Sequence, residues 1–218
     1  MTCIDINTLY YDKRGNALSF IDMLCKLRHP SIVDVLNYYV IQNRLIYVEM
    51  ESTPTPQHWK AYTKQPLSVP EIFNIVWVAA SALEYIHSMG IVHRDVHPSR
   101  FHYFRSGVKF NPIGMPFNFK KLVKKSNFCG HINYSAPEMV MEVPYFDGKV
   151  DIWALGCCIY YLVNKKDLFD CSGNHKWVKQ KILGVQIEKE KWESIPKPLV
   201  AIFEACLQLN PMMRPSAS

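Results

Sequence analysis

The residues best suited to chemistry lie in one short stretch, Ile91–Pro98, which reads I-V-H-R-D-V-H-P. Asp95 offers a carboxylate that can accept a proton from a hydroxyl group. Arg94, directly before it, offers a guanidinium that can bind phosphate or carboxylate groups through two parallel hydrogen bonds. A triplet of polar residues recurs by chance in many sequences, so its meaning depends on the motifs around it.

Four further motifs accompany this stretch in a fixed order along the chain. They are Leu27–Val33 (L-R-H-P-S-I-V), Ser135–Glu138 (S-A-P-E), Asp151–Gly156 (D-I-W-A-L-G) and Arg214-Pro215. Together with His93-Arg94-Asp95, these motifs resemble those of eukaryotic protein kinases, in which H-R-D belongs to the catalytic loop and A-P-E closes the activation segment. The resemblance covers about residues 15–218. It implies a protein-kinase-like α+β fold, mostly the helical large lobe (C-lobe) with a truncated small lobe (N-lobe).

The resemblance implies structural roles for most of the matched residues. Asp151 should hold the catalytic-loop backbone from a buried helix that also contains Gly156. Glu138 and Arg214 should form a buried ion pair, and breaking such a pair costs about 3–5 kcal/mol because one charge is left without its partner. Arg94 should either bind a phosphorylated loop residue or make structural contacts beside Asp95. None of these roles requires catalysis.

The resemblance also assigns positions to the parts that bind ATP, and this sequence lacks them. Phosphoryl transfer by kinases uses a Gly-rich loop, a strand lysine paired with a helix glutamate, and two metal-holding residues. Only Gly15 precedes Gly90, so no G-x-G-x-x-G loop is present in this part of the sequence. The lysine position falls near Thr2, and Phe20 stands at the glutamate position, where we expect an apolar core residue.

Both positions for the metal-holding residues carry side chains that cannot bind Mg²⁺. Arg100 stands where the family has asparagine, and Pro112 begins P-I-G where the family has D-F-G. A guanidinium only donates hydrogen bonds and proline has no side-chain oxygen, whereas Mg²⁺ prefers oxygen ligands. Asn111 comes one place early and should face the opposite side of a strand.

Two histidines replace further catalytic-site residues of the family. His97 stands at the catalytic-loop lysine, and His131 stands at the threonine of G-T-x-x-Y-x-A-P-E. The resemblance therefore places His97, His131 and Asp95 near one another. Two imidazoles and a carboxylate suit zinc or iron, although we expect polar replacements without a metal. Asp95 itself is expected to act as a hydrogen-bond hub for its loop, with a vestigial base role as the alternative.

The activation segment, residues 112–138, contains the densest basic patch of the chain. Its lysines flank Leu122 and Val123 and are Lys120, Lys121, Lys124 and Lys125. This combination predicts a surface for an acidic or phosphorylated protein partner, such as an active kinase, with a solvated loop as the alternative. Ser126 is a candidate phosphorylation site that Arg94 would hold.

Hydrophobic periodicity predicts the elements that must position these residues. The expected elements are a helix around Ala17–Leu27, strands Ile32–Ile41 and Leu45–Met50, a helix from Ser68 to about Gly90, a buried helix Val150–Asn164, and helices His175–Leu183 and Pro198–Leu209. The first helix is expected to begin the small lobe, without room for the three strands that usually precede it. The character changes near Ser52–Gln65, so we expect residues 1–52 to form a partial N-lobe and residues 53–218 a C-lobe that is incomplete at its carboxyl end. Two hinge registers stay open, one of which places Glu49 at the gatekeeper position.

Composition limits the function classes. The chain has 218 residues, and 25 Lys+Arg against 19 Asp+Glu give a net charge of +6, too weak a bias to predict nucleic-acid binding. No apolar run reaches the roughly 20 residues of a membrane span. Seven scattered cysteines without a C-x-x-C pair fit a cytoplasmic or nuclear protein.

These observations predict a pseudokinase, a kinase-like domain that is catalytically inactive and serves as a protein-binding or regulatory scaffold. No cofactor is expected. The alternative is a Ser/Thr-type kinase with weak or unusual phosphotransfer, which would require ATP and Mg²⁺.

Overall fold

The computed structural model describes residues 2–5, 14–42, 45–52, 66–114, 117–118, 131–141, 143, 147–170, 175–184, 187 and 189–217. The four lysines of the activation segment and Ser126 lie outside these residues. Strands dominate the amino-terminal part of the described chain, and helices dominate the rest.

A three-stranded antiparallel sheet and one helix form the small lobe. In chain order its elements are β1 (Thr2–Asp5), α1 (Arg14–Leu24), β2 (Val35–Ile41) and β3 (Leu45–Met50). The strand order is β1-β3-β2, so β3 is central. Ile46 and Val48 alternate along β3 with less buried neighbours, and they share the core with Ile21 and Leu24 of α1. This period of two is typical of a sheet with one buried face.

Two features of the small lobe differ from the prediction. Strand β1 precedes α1 and pairs with β3 from Thr2↔Val48 to Asp5↔Leu45, whereas the prediction began the small lobe at the first helix. The second strand begins at Val35 instead of Ile32. Ile32 leaves the sheet because it forms a parallel bridge with Phe110 in the large lobe.

The large lobe is organised around helix α2 (Val69–Ser88), which begins where Ser68 predicted. The carboxylate of Glu71 accepts hydrogen bonds from the backbone nitrogen and hydroxyl of Ser68, both at 2.7 Å, and so closes the first turn. By length and composition α2 could cross a membrane. However, eight of its residues are buried in the core, namely Ile72, Ile75, Val76, Val78, Ala79, Ala82, Leu83 and Ile86. We therefore assign them to the interior of the large lobe.

Two short antiparallel pairs follow α2 and frame the stretch around Asp95. Strand β4 (Ile91–Val92) pairs with β7 (Phe117–Asn118), and β5 (Phe101–Phe104) forms a hairpin with β6 (Gly107–Phe110). The loop between β4 and β5 carries His93, Arg94 and Asp95. Its ends are therefore fixed by two separate strand pairs.

The carboxyl-terminal part consists of helices. They are α3 (Pro137–Val140), α4 (Lys149–Asn164), α5 (His175–Gly184), α6 (Lys189–Glu193) and α7 (Lys197–Cys206). Helix α4 is buried nearly all round, as its apolar sequence predicted, and the ring of its Trp153 stacks on Phe169 at 5.9 Å. Sequence periodicity missed α6. It also extended α7 by three residues, since Leu207–Leu209 lie outside the helix, where the carbonyl groups of Gln208 and Leu209 accept hydrogen bonds from Arg214.

The two lobes are joined by backbone and side-chain contacts next to the hinge. Val33 donates to the carbonyl of Phe110 at 2.9 Å, and Phe110 donates to the carbonyl of Ser31 at 2.8 Å. Nζ of Lys109 lies 2.6 Å from Oε1 of Glu51 in the hinge. Residues on β6 therefore hold the small lobe at three points.

Candidate functional site

Asp151 fixes the loop that carries Asp95. Its carboxylate is fully buried at the first turn of α4 and accepts hydrogen bonds from the backbone nitrogens of His93 at 2.9 Å and Arg94 at 2.8 Å. Nε2 of His87 contacts the same carboxylate at 2.8 Å. Arg94 has a φ of 65°, a left-handed conformation that costs a non-glycine residue about 1–2 kcal/mol. The bonds to Asp151 stabilise that conformation, which is the role the motif implied.

His93 is a buried support beneath the loop. Its Nε2 lies 3.1 Å from the carbonyl oxygen of Asn111, and its ring packs against Phe110 at 4.9 Å. Complete burial lowers the pKa of His93 to about 4, against the opposing attraction of Asp151. The imidazole is therefore neutral at pH 7.

The turn Pro112–Gly114, at the position of D-F-G in the resemblance, packs directly against His93. A Cβ atom at Gly114 would lie 2.3 Å from the His93 carbonyl oxygen, so only glycine fits there. Asn111 is buried, and its Oδ1 accepts a hydrogen bond from the backbone nitrogen of Ile113 at 2.9 Å. Because β6 ends at Phe110, Asn111 belongs to the turn, and the expectation that it faces away on a strand is wrong. Its amide oxygen is used inside the turn.

Asp95 is enclosed by the residues that replace the catalytic set. Nη2 of Arg100 contacts Oδ2 of Asp95, and Nε of Arg100 donates to the Asp95 backbone oxygen at 3.3 Å. On the other side, the backbone nitrogen and Nδ1 of His131 lie 3.2 Å and 2.9 Å from Oδ1. Only 5% of the Asp95 side chain is exposed. Both carboxylate oxygens are therefore occupied.

These neighbours keep Asp95 ionised. Burial alone would raise the pKa of this carboxyl group, but the hydrogen bond from His131, the nearby imidazole of His97 and the charge of Arg100 outweigh it and hold the pKa far below its usual range. The result is a carboxylate that stays charged and paired. Its negative charge is neutralised by Arg100 at the place where the family has a metal-holding asparagine.

His97 and His131 lie against each other beside this carboxylate. Their ring centroids are 3.9 Å apart, and a small cavity opens next to Asp95 and His131. Nδ1 of His97 pairs with the hydroxyl of Ser99 at 2.7 Å. Within the described part of the chain, Nε2 of His97 has no hydrogen-bond partner, since Oδ2 of Asp95 lies 3.6 Å away. An unsatisfied buried polar group costs about 1–3 kcal/mol.

The residues at this site do not fit a Mg²⁺–ATP complex. Arg100 places a guanidinium at one metal-ligand position, Pro112 has no oxygen donor at the other, and the amide of Asn111 is already bonded to Ile113. Thr2, where counting places the strand lysine, begins β1. No step of phosphoryl transfer can therefore be derived from these side chains.

Glu138 and Arg214 form a buried ion pair behind the activation segment. Nη1 and Nη2 of Arg214 lie 2.6 Å and 2.9 Å from the two carboxylate oxygens of Glu138. The remaining donors of Arg214 reach the carbonyl groups of Lys149, Gln208 and Leu209. Arg214 is 2% exposed. All five guanidinium donors are thus satisfied, which is the condition under which a buried charge is tolerated.

Sequence reasoning missed two anchoring residues. Asp167, after α4, accepts hydrogen bonds from Asn133 and Tyr134 and so fixes the segment that follows His131. Arg100 was recognised as a lost asparagine but not as a partner of Asp95. The signal available in the sequence was the positive charge of Arg100, five residues after the acidic Asp95.

The other predicted residues lie away from this cluster. Phe20 is partly buried and packs against the core from α1, in agreement with an apolar role. The carboxylate of Glu49, on β3, accepts a hydrogen bond from the hydroxyl of Tyr39 on β2 at 3.2 Å. It is thus engaged with the neighbouring strand.

Comparison with known proteins gives the family. The family described as protein kinase domain matches residues 5–218. Sperm motility kinase 3A of Mus musculus is 30% identical over 210 residues, 94% of this chain and 40% of that protein. Sperm motility kinase 1 of Mus musculus is 31% identical over 168 residues, 75% of this chain and 34% of that protein. Serine/threonine-protein kinase H1 of Homo sapiens is 25% identical, covering 97% of this chain and 51% of that protein.

The chain spans about a third to a half of the length of these relatives. The matched range contains the loop around Asp95, the residue Asp151 that supports it, and the Glu138–Arg214 pair. The match also agrees with the observed fold, in which a small lobe contains a sheet and the large lobe is helical. This chain therefore belongs to the protein kinase family.

Proposed function

We propose that this kinase domain is a pseudokinase, catalytically inactive, and that it acts as a protein-binding or regulatory scaffold. The observation that carries the proposal is the contact between Arg100 and Asp95. A catalytic base needs a carboxylate oxygen within reach of the substrate hydroxyl. Here Arg100 takes one oxygen and His131 takes the other.

The surrounding positions support the same proposal. Kinase catalysis consists mostly of positioning the phosphates and neutralising their charge. Arg100 and Pro112 supply neither metal ligand, and the strand lysine and Gly-rich loop have no candidate in this sequence. Losing several such groups together should remove nearly all phosphoryl transfer, so no ATP or Mg²⁺ requirement is proposed.

A specific observation favours a second candidate function. Asp95 and its supports Asp151 and His93 keep the arrangement of the motif, and the relatives carry names that describe them as kinases. A weak or unusual Ser/Thr-type phosphotransfer with ATP and Mg²⁺ is therefore the alternative. It would require Arg100 to move away from Asp95.

The partner side of the proposal comes from sequence. Lys120, Lys121, Lys124 and Lys125 lie in a segment that the family uses for substrates and regulation. We propose that this segment binds an acidic or phosphorylated protein, for which an active kinase is one choice, in the cytoplasm or nucleus. Nucleic acid and membranes are not proposed as partners.

The experiment is transfer of labelled phosphate from ATP, with Mg²⁺ or Mn²⁺, to the chain itself and to generic protein substrates. We expect no incorporation above the level of an Asp95→Asn variant. Asp170→Asn, an exposed aspartate outside the site, is the matched control. Incorporation by wild type and Asp170→Asn that disappears in Asp95→Asn would overturn the proposal in favour of the kinase alternative.

A further inference from the structure

We infer that Asp95, His97 and His131 form a binding site for a single Zn²⁺ ion. This site goes beyond the scaffold function proposed above and does not depend on it. The ligand atoms are one carboxylate oxygen, Nε2 of His97 and Nδ1 of His131, and all of them lie within 4.8 Å of one another.

The spacing of these atoms is close to that of a zinc site. Zinc ligands lie about 2.0–2.2 Å from the ion, which places neighbouring ligand atoms about 3.3 Å apart in a tetrahedron. Nδ1 of His131 is 2.9 Å from Oδ1 of Asp95, and Nε2 of His97 is 3.6 Å from Oδ2. The His131 side chain is 59% exposed. It can therefore rotate to complete the site without moving the core.

His97 provides independent support for a ligand at this place. The residue is 7% exposed, and its Nε2 faces the Asp95 carboxylate without a hydrogen-bond partner among the described residues. Ser99 engages the other ring nitrogen, Nδ1, at 2.7 Å. In the tautomer in which Nδ1 donates to Ser99, Nε2 is unprotonated and its lone pair is available to a cation beside the Asp95 carboxylate. Orientation of a histidine by a bond to its second nitrogen is also typical of metal ligands.

His131 contributes its ligand by exchanging a proton for the metal. Ionised Asp95 can only accept hydrogen bonds, so Nδ1 of His131 must carry the proton in the metal-free contact. When Zn²⁺ binds, the neutral ring takes its Nε2–H tautomer by proton exchange with solvent, and the freed Nδ1 lone pair bonds to the ion. A small cavity beside Asp95 and His131 has room for about one water molecule.

The donor set selects the metal. Two imidazole nitrogens and one carboxylate match zinc, whereas Mg²⁺ prefers six oxygen ligands. Arg100 contacts Oδ2 of Asp95 and adds a positive charge next to the ion. We therefore expect weaker binding than at a structural zinc site, and we expect Arg100→Gln to strengthen it.

The experiment is a zinc titration of the untagged chain at pH 7.5 in competition with a chromophoric chelator, together with Co²⁺ absorption as a reporter of tetrahedral nitrogen and oxygen ligation. We expect one equivalent of Zn²⁺ per chain, at least a tenfold loss of affinity in His97→Ala and in His131→Ala, and a gain in Arg100→Gln. His102→Gln is the matched control, since His102 lies on β5 outside the cluster. It should bind as wild type does.

A second measurement guards against misfolding of the variants. Zinc should raise the melting temperature of wild type and His102→Gln but not of His131→Ala, whose exposed side chain can be removed without opening the core. No saturable binding by the folded wild type, or equal affinity in wild type and both alanine variants, would overturn the inference. Every variant keeps all seven cysteines, so zinc held by cysteine side chains would bind with equal affinity throughout the series.

Discussion

Arg100 folds back on Asp95, contacting its carboxylate through Nη2 and its backbone oxygen through Nε. The two residues form a closed unit within one short loop, with 21% of the Arg100 side chain exposed against 5% for Asp95. The arginine therefore supplies a covalently attached positive charge beside the buried Asp95 carboxylate. This contact leads to the first prediction.

Arg100→Ala should lower the free energy of unfolding by about 1–3 kcal/mol, because the buried Asp95 carboxylate loses its main counter-charge. Adding Asp95→Asn should recover part of that loss, since the amide carries no charge to strand. Urea unfolding measures both effects, with Arg105→Ala on the exposed hairpin turn as the control. If Arg100→Ala lowers the free energy of unfolding equally in wild type and in the Asp95→Asn variant, the pairing is contradicted.

Glu138→Ala and Arg214→Ala should each lower the free energy of unfolding by about 3–5 kcal/mol, because each leaves a buried charge without its partner. The double variant should be no less stable than the worse single variant. Lys109→Met, which breaks a partly exposed pair with Glu51, should cost about 1 kcal/mol or less. Strictly additive losses at Glu138 and Arg214 would show that the two residues do not interact.

Gly156→Ala should destabilise the contact between α4 and α7. A Cβ atom at this position would lie 2.8 Å from Cβ of Cys206 and 3.0 Å from Cδ2 of Leu207. Overpacking of this kind typically costs about 1–3 kcal/mol. Gly184→Ala is the matched control, since nothing lies within 4 Å of a Cβ there. Thermal unfolding of both variants checks the prediction, and equal melting temperatures would refute it.

Stability should fall as the pH drops from 6.5 towards 4. The pKa of His93 is lowered from 6.5 to about 4 by burial, so in this range the unfolded chain takes up a proton that the folded chain refuses. The sign is therefore loss of stability on acidification, by about 3 kcal/mol across the range. Burial lowers the pKa of His97 as well, which acts in the same direction.

Urea unfolding at pH 7 and pH 4.5 measures this dependence. The variant His93→Gln can still donate to the Asn111 carbonyl but cannot be protonated, so its stability should vary less between these pH values. A dependence as steep as that of wild type would assign the effect to other groups.

Replacing Lys120, Lys121, Lys124 and Lys125 with glutamate should abolish binding of acidic protein partners. Exposed charges act over about 10 Å at 0.1 M salt and about 3 Å at 1 M, so wild-type binding should also weaken steeply with salt. The measurement is partner recovery from lysate at both salt concentrations. A charge-matched control replaces exposed cations outside the segment, namely Lys26, Arg105, Lys166 and Lys197. If all three proteins recover the same partners, the binding surface lies elsewhere.

Most of the large lobe could be predicted because its signals are local. The Ser68 cap, the apolar run of α4 and the spacing of the motifs each depend on neighbouring residues, and the four helices predicted for this lobe begin within a residue or two of the predicted positions. Strand β1 could not be predicted in this way. It is four residues long and is stabilised by pairing with β3, whose residues lie 40 to 46 positions further along the sequence.

The positions of the site residues could be predicted from the sequence, but their side-chain contacts could not. The family resemblance placed Asp95, His97 and His131 near one another, yet it gave Arg100 only as a missing ligand. Whether a long cationic side chain points to solvent or returns to a carboxylate depends on its three-dimensional surroundings, which sequence patterns do not encode. The same limit explains why Asp167 was missed.

The ion pair between Glu138 and Arg214 can form only late in the synthesis of the chain. The two residues are 76 positions apart, so at about 5–20 residues per second the ribosome adds the arginine roughly 4–15 s after the glutamate. During that interval the A-P-E segment exists without the guanidinium that later satisfies its carboxylate. Helices α4 to α7 are also made in this period and can dock only provisionally. The large lobe therefore cannot form this ion pair until Arg214 has been made. During that interval chaperones would have access to its apolar helices.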